Sequence, residues 1–155
     1  MIEEVTLYKP RVRRKKAPRT RVKGKKRGKT KNPLKKARKE LWELCKQIIR
    51  KKYGNTCYTC DAKNLSGSNF QTGHLIPRST CGLYLRYDLR NLRIQDYRCN
   101  INLSGNGATF YRNMVQREGQ SYVDEIFAEK NRETKENLAF YTERIESYQH
   151  LLKEL

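Results

Sequence analysis

Thiols, two carboxamides, one imidazole and one carboxylate carry what chemistry this chain can do. Cys57-Tyr58-Thr59-Cys60 directly follows Gly54-Asn55, a turn that lets two sulfurs converge on one ion, and this is half of a structural zinc site. Cys99 lies just ahead of a predicted helix, with 38 residues between it and Cys60, and is the natural third ligand. Asp96 stands three residues before Cys99, a spacing that mirrors Cys57 and Cys60, and this favours it as the fourth ligand. Carboxylate is rarer than thiolate in such sites, so Cys81 is the alternative donor and a degraded site the remaining reading. Unliganded thiols in a small core would be the plain structural explanation. Of the two histidines, His150 falls among Leu151 and Leu152 in a helical stripe, a packing or surface setting. His74, in Thr72-Gly73-His74-Leu75-Ile76-Pro77-Arg78, is different: with Asn91 and Asn100 it falls on the pieces that a zinc ion would draw together.

Those residues need elements to aim them. Leu34 to Lys52 repeats Leu34, Ala37, Leu41, Leu44, Cys45, Ile48 and Ile49 at three- and four-residue spacing, one apolar helical face that Gly54-Asn55 ends. Cys45 lies on that face and reads as a buried thiol. Phe70 to Arg78 and Asn91 to Gln95 read as two short strands around a loop. Helix resumes past Cys99, breaks at Ser104-Gly105-Asn106-Gly107, and runs again from Thr109 to Arg117. Two further helices are predicted over Ser121 to Lys130 and Glu133 to Leu155. The last carries Leu138, Tyr141, Ile145, Tyr148, Leu151 and Leu152, a stripe that serves either the core or a homodimer.

Charge divides the chain. The 155 residues carry a formal charge of +19. Residues 1–39 hold 18 basic side chains against Glu3 and Glu4, whereas residues 40–155 hold 17 basic and 14 acidic. Residues 1–33 are therefore expected to be a disordered basic arm, too poor in apolar side chains to offset the entropy of ordering. Its Arg13, Arg14, Lys15, Lys16, Lys25, Lys26 and Arg27 suit DNA phosphates. Residues 34–155 would form the folded domain, with a core at 54–117 and terminal helices at 119–155. No run of eighteen apolar residues and no apolar signal segment occur, so no membrane partner is expected and the chain is placed in the cytoplasm, on DNA. An odd count of five cysteines also fits a metal site in a reducing compartment better than disulfides.

The ordered set Cys-x-x-Cys, Gly-His-x-x-Pro-Arg, Leu-Arg-Tyr-Asp-x-x-Asn-Leu and Cys-Asn-x-x-Leu-Ser-Gly-Asn, over about residues 54 to 117, resembles the HNH, or ββα-metal, nucleases. More narrowly it resembles the NinG/Rap recombination proteins of lambda-like phages. The resemblance implies an α+β, mostly helical fold with a zinc-stapled ββα-metal core, flanking helices and the basic arm. It also implies a metal-dependent endonuclease of recombination, acting on branched DNA such as Holliday junctions. In that scheme His74 is the base that activates water, as an imidazole titrating near ~6.5 can. Asn100 holds a catalytic Mg2+ or Mn2+, Asn91 pins the loop that orients His74, and zinc is structural. Arg78 is a candidate phosphate clamp, with Arg86, Arg90 and Arg93 in the same stretch. Many HNH members carry an acidic residue directly before the base; here it is Gly73, so the metal would depend mainly on Asn100, with Asp88 either a second ligand or only a turn residue. The competing function is a non-catalytic zinc-containing nucleic-acid-binding protein, and a third is an adaptor whose arm recruits an acidic partner.

Overall fold

The computed structural model describes residues 32–155. The first helix, α1 (Pro33–Tyr53), starts where the Asn32 side chain accepts hydrogen bonds from Leu34 N and Lys35 N, with Pro33 fitting the first turn. Arg50, Lys51 and Lys52 complement the negative end of the helix dipole, and Gly54 closes it at φ +68°, a conformation that favours glycine. Its apolar stripe is buried from Ala37 through Ile49. The stripe of α5 (Leu138–Glu154) packs against it, burying Tyr141 and Ile145. Tyr141 and Ile145 of the stripe are thus used within the chain, whereas Leu138 at its start stays exposed.

Strand β1 (Gln71–His74) pairs antiparallel with β2 (Leu92–Gln95), Gln71 facing Gln95 and His74 facing Leu92. Alternation along a strand then puts His74, Leu92, Thr72 and Ile94 on one face of the hairpin. Leu92 and Ile94 belong to the core built on α1 and α5. Gly73, Arg93 and Gln95 share the other face, where Gln95 donates to Gly105 O at 2.8 Å. A second apolar cluster joins Leu75, Ile76, Cys81 and Leu85 to α3 (Gly107–Glu118) and α4 (Gln120–Ala128).

The first strand is shorter than the expected Phe70 to Arg78. Past His74, the backbone N–H and C=O of Ile76 are both taken by the Asn91 side chain, which turns the chain away from the ladder. A short helix, α2 (Leu83–Arg86), occupies part of the loop between the strands. The final helix begins at Leu138 and not at Glu133, because Asn137 caps it by accepting from Phe140 N at 2.9 Å. After β2 the chain makes a π turn, Arg98–Asn102, marked by Leu103 N bonding Arg98 O at 2.9 Å. No helix among the described residues is long and apolar enough to cross a membrane. The expected basic arm, with Arg13 through Arg27, lies outside the described residues apart from its last two positions.

Candidate metal centre and histidine cleft

Cys57, Cys60, Asp96 and Cys99 come together with their ligating atoms all within 4.8 Å of one another. Four donors set tetrahedrally at metal–sulfur bonds of about 2.3 Å stand about 3.8 Å apart, so this cluster is the right size for a zinc ion. The fold builds it from two turns. In the first, Asp61 N bonds Cys57 O at 3.0 Å, and Tyr58 N bonds Ile94 O at 2.8 Å, tying the turn to β2. In the second, Asp96 leaves β2 and its Oδ1 accepts from Cys99 N at 2.6 Å, while Oδ2 faces the Cys60 thiol at 3.3 Å. Burial works against the Asp96 charge, but these hydrogen bonds hold its carboxyl below the usual carboxylate range, so it is an anionic donor. Three sulfurs and one carboxylate oxygen can hold a metal ion such as zinc.

Cys81 is not part of this cluster. It is buried in the second apolar core with Leu85, Phe110 and Met114. Cys45 lies in the first core, its thiol pointing at Tyr87 O at 3.7 Å, and burial pushes its pKa up to about 12. Both are unreactive structural thiols.

His74 ends β1 on the face covered by α1, and its ring stacks on Trp42 with centroids 5.4 Å apart and planes 8° from parallel. Its Nε2 lies 3.1 Å from Arg86 O. A carbonyl only accepts, so Nε2 carries the proton and Nδ1 of the neutral ring keeps a free lone pair. Burial, then the charges of Arg78 and Arg86, push the imidazole down to about 4, although the Arg86 carbonyl favours the charged form. At neutral pH the ring is uncharged, and it is a weaker base than the imidazole near ~6.5 expected from the sequence.

The loop that supports His74 hangs on Asn91. This fully buried side chain accepts from Ile76 N at 2.8 Å and donates to Ile76 O and Leu85 O, each at 3.2 Å. One carboxamide thus fixes the segment after His74 and the end of α2, whose Arg86 carbonyl orients the imidazole. Asp88 is engaged close by, accepting from Arg90 N at 2.9 Å and pairing with the Arg90 guanidinium at 2.8 Å. It is a turn residue with its charge already matched. Arg93 is also committed, fully buried between the Tyr53 and Tyr58 rings and paired with Glu118 at 2.9 Å.

His74 opens into a cleft of about 290 Å³ lined by Lys35, Arg38, Lys39, Trp42, Arg78, Arg86 and Tyr87. Five of these are cations and no lining residue is acidic, although Arg38 is already paired with Glu136 at 2.7 Å. Arg86 is half-buried, and its Nε is a buried donor without a hydrogen-bond partner among the described residues. That Nε is closed off from the cleft, so any phosphate contact by Arg86 falls to the other guanidinium nitrogens. Sequence reasoning singled out His74 and Arg78 but missed the α1 wall. Its signal was present: Lys35, Arg38 and Lys39 recur at helical spacing on one face with Trp42, the chain's single tryptophan.

Asn100 does not line that cleft. It is half-buried on the π turn, directly after Cys99, with its N–H donated to Asp96 O at 3.0 Å. Its carboxamide makes no hydrogen bond among the described residues and so remains a free hard-oxygen donor. The metal turns therefore fix Asn100, whereas the Asn91 loop and α1 fix His74. No curated protein and no solved structure matches the chain. Among protein families, the one described as Bacteriophage Lambda NinG protein matches residues 2–155. With that match spanning nearly the whole chain, the protein belongs to the bacteriophage lambda NinG family.

Proposed function

We propose that this protein is a metal-dependent DNA endonuclease of phage recombination that cuts branched DNA such as Holliday junctions. The observation that carries the reading is His74: an uncharged imidazole with a free Nδ1, held at the mouth of a cleft ringed by five cations. Nδ1 takes the proton of a water aimed in line at phosphorus, the water oxygen forms the new P–O bond, and the bond to the 3′ oxygen breaks. Arg86 and Arg78 hold the phosphate oxygens and match the charge that grows on them. Trp42 and the Arg86 carbonyl keep the imidazole from rotating. Asn100 offers a single neutral oxygen, which suits a Mg2+ or Mn2+ ion that keeps most of its waters. When bound, that ion would supply charge to the phosphate and the departing oxygen, which requires the DNA backbone to run from the His74 cleft to the π turn that carries Asn100. Zinc at Cys57, Cys60, Asp96 and Cys99 is structural, and the basic residues of the N-terminal arm add phosphate contacts without reading sequence.

A non-catalytic nucleic-acid-binding protein is the second reading, and one observation favours it: Asn100 lies outside the cleft that His74 opens into. The two separate in a cleavage assay on four-way junctions and linear duplex with Mg2+ or Mn2+. The endonuclease nicks junctions, and His74→Ala abolishes nicking while retaining binding. A zinc-loaded protein that binds but never cuts any of junction, flap, single-stranded or linear DNA belongs to the second class.

A further inference from the structure

Seven large apolar side chains are exposed by 39% or more among the described residues, and three of them, Tyr97, Ile101 and Leu103, fall within seven consecutive positions. Tyr97 and Ile101, four apart and 46% and 49% exposed, project from one side of the π turn, and Leu103, 46% exposed, follows at its end. Exposed apolar groups usually fold inward when the backbone allows it. Here the backbone is committed: Tyr97 N bonds Asn69 Oδ1 at 2.8 Å, Leu103 N bonds Arg98 O at 2.9 Å and Gly105 N bonds Cys99 O at 3.0 Å. Cys99, between them in sequence, is buried in the opposite sense. The turn therefore presents three apolar groups on a rigid base, beside the free carboxamide of Asn100.

The surrounding charge selects the occupant. Arg98, between Tyr97 and Ile101, is exposed and makes no ion pair among the described residues, and the neighbouring Asp96 carboxylate is turned to Cys99 N and the Cys60 thiol. Three exposed apolar groups flanking an unpaired arginine suit a partner that is anionic outside and apolar on its faces, which is a nucleic acid with its bases unstacked. Continuous duplex hides those faces, whereas a branch point exposes them. Apolar side chains inserted at a base step are a general means of holding such distorted DNA.

We propose that Tyr97, Ile101 and Leu103 form a wedge that stacks on unpaired bases at the branch of the DNA substrate, making these residues the ones that distinguish branched from continuous duplex. This rests on the endonuclease reading for its substrate class. It adds the element that selects the substrate, next to the residue proposed to hold the divalent ion.

The test uses the full chain carrying His74→Ala, so that no strand is cut. It compares Tyr97→Ala/Ile101→Ala/Leu103→Ala with its parent on a four-way junction and on linear duplex of equal length. Affinity is read by fluorescence anisotropy, and 2-aminopurine at the branch reports base stacking. The wedge predicts at least a tenfold loss on the junction, with linear duplex within about twofold, and loss of the 2-aminopurine change. Tyr97→Phe, which keeps the ring, should behave as the parent. Equal losses on both DNAs, or no loss on either, overturn the wedge while leaving DNA binding intact. A parent that binds neither DNA sinks the functional reading itself.

Discussion

Protonating His74 should cost the fold stability in a defined pH window. Its imidazole titrates at about 4 in the folded protein against an ordinary 6.5, chiefly because it is buried. The folded state therefore resists a proton that the unfolded chain accepts. Stability from this residue is full above about pH 6.5, falls as pH drops toward 4, and changes no further below that, where both states are protonated. At about 1.4 kcal/mol per pH unit the full gap amounts to roughly 3.5 kcal/mol. Urea unfolding of wild type and His74→Gln at pH 7.5 and pH 4.5 measures it, because loss of zinc at low pH affects both proteins and cancels in the difference. Between these two pH values the wild type should lose roughly 2.5 kcal/mol more than the variant. NMR titration adds a direct reading, since the chain has two histidines and the exposed His150 serves as the internal reference. A His74 that titrates near the ordinary 6.5, with equal losses in the two proteins, would refute the reasoning. A phosphate bound in the cleft should raise the His74 pKa, since an anion favours the charged ring.

The remaining predictions concern the metal centre, the loop and the arm. One zinc per chain should be found by elemental analysis; Cys57→Ser and Cys99→Ser should lose it and melt lower, whereas Cys81→Ser should keep it, being buried in the other core. Asp96→Cys should hold zinc against a stronger chelator than wild type does, because thiolate is the more usual structural ligand. Asn91→Ala leaves the buried N–H and C=O of Ile76 without partners, while Leu85 O keeps Asp88 N, so chemical denaturation should show a loss of about 2 kcal/mol or more. An unchanged midpoint would mean that the loop is held by something else. Deleting residues 1–31, which carry 14 Lys and Arg, should weaken DNA binding and flatten its dependence on salt; an unchanged slope of log affinity against log salt would reject the arm as a phosphate-contacting element.

Long amphipathic elements were legible because their period repeats enough times to be decisive. The Leu34 to Lys52 stripe forms α1 almost residue for residue, and the stripe holding Tyr141 and Ile145 forms α5. The short strands were not, since four residues carry two alternations at most, and the end of β1 is set by an asparagine 17 residues downstream of His74. Spacing alone put Asp96 with Cys57, Cys60 and Cys99, because two turns of like shape bring their first and last residues to one point. What spacing could not supply was the direction of His74. That follows from tertiary contact with Trp42 on α1 and with the Arg86 carbonyl on α2, a helix too short to leave a periodic signal. The cationic wall was written on α1 as Lys35, Arg38, Lys39 and Trp42, but its use depends on β1 ending against that face.

A single comparison tests the central claim most directly: nicking of a four-way junction and of linear duplex by zinc-loaded wild type, His74→Ala and Asn100→Ala, with Mg2+ or Mn2+. The account predicts that wild type nicks the junction, that His74→Ala binds it with undiminished affinity and fails to nick, and that Asn100→Ala is impaired by at least a hundredfold. Wild-type levels of nicking by His74→Ala would contradict it.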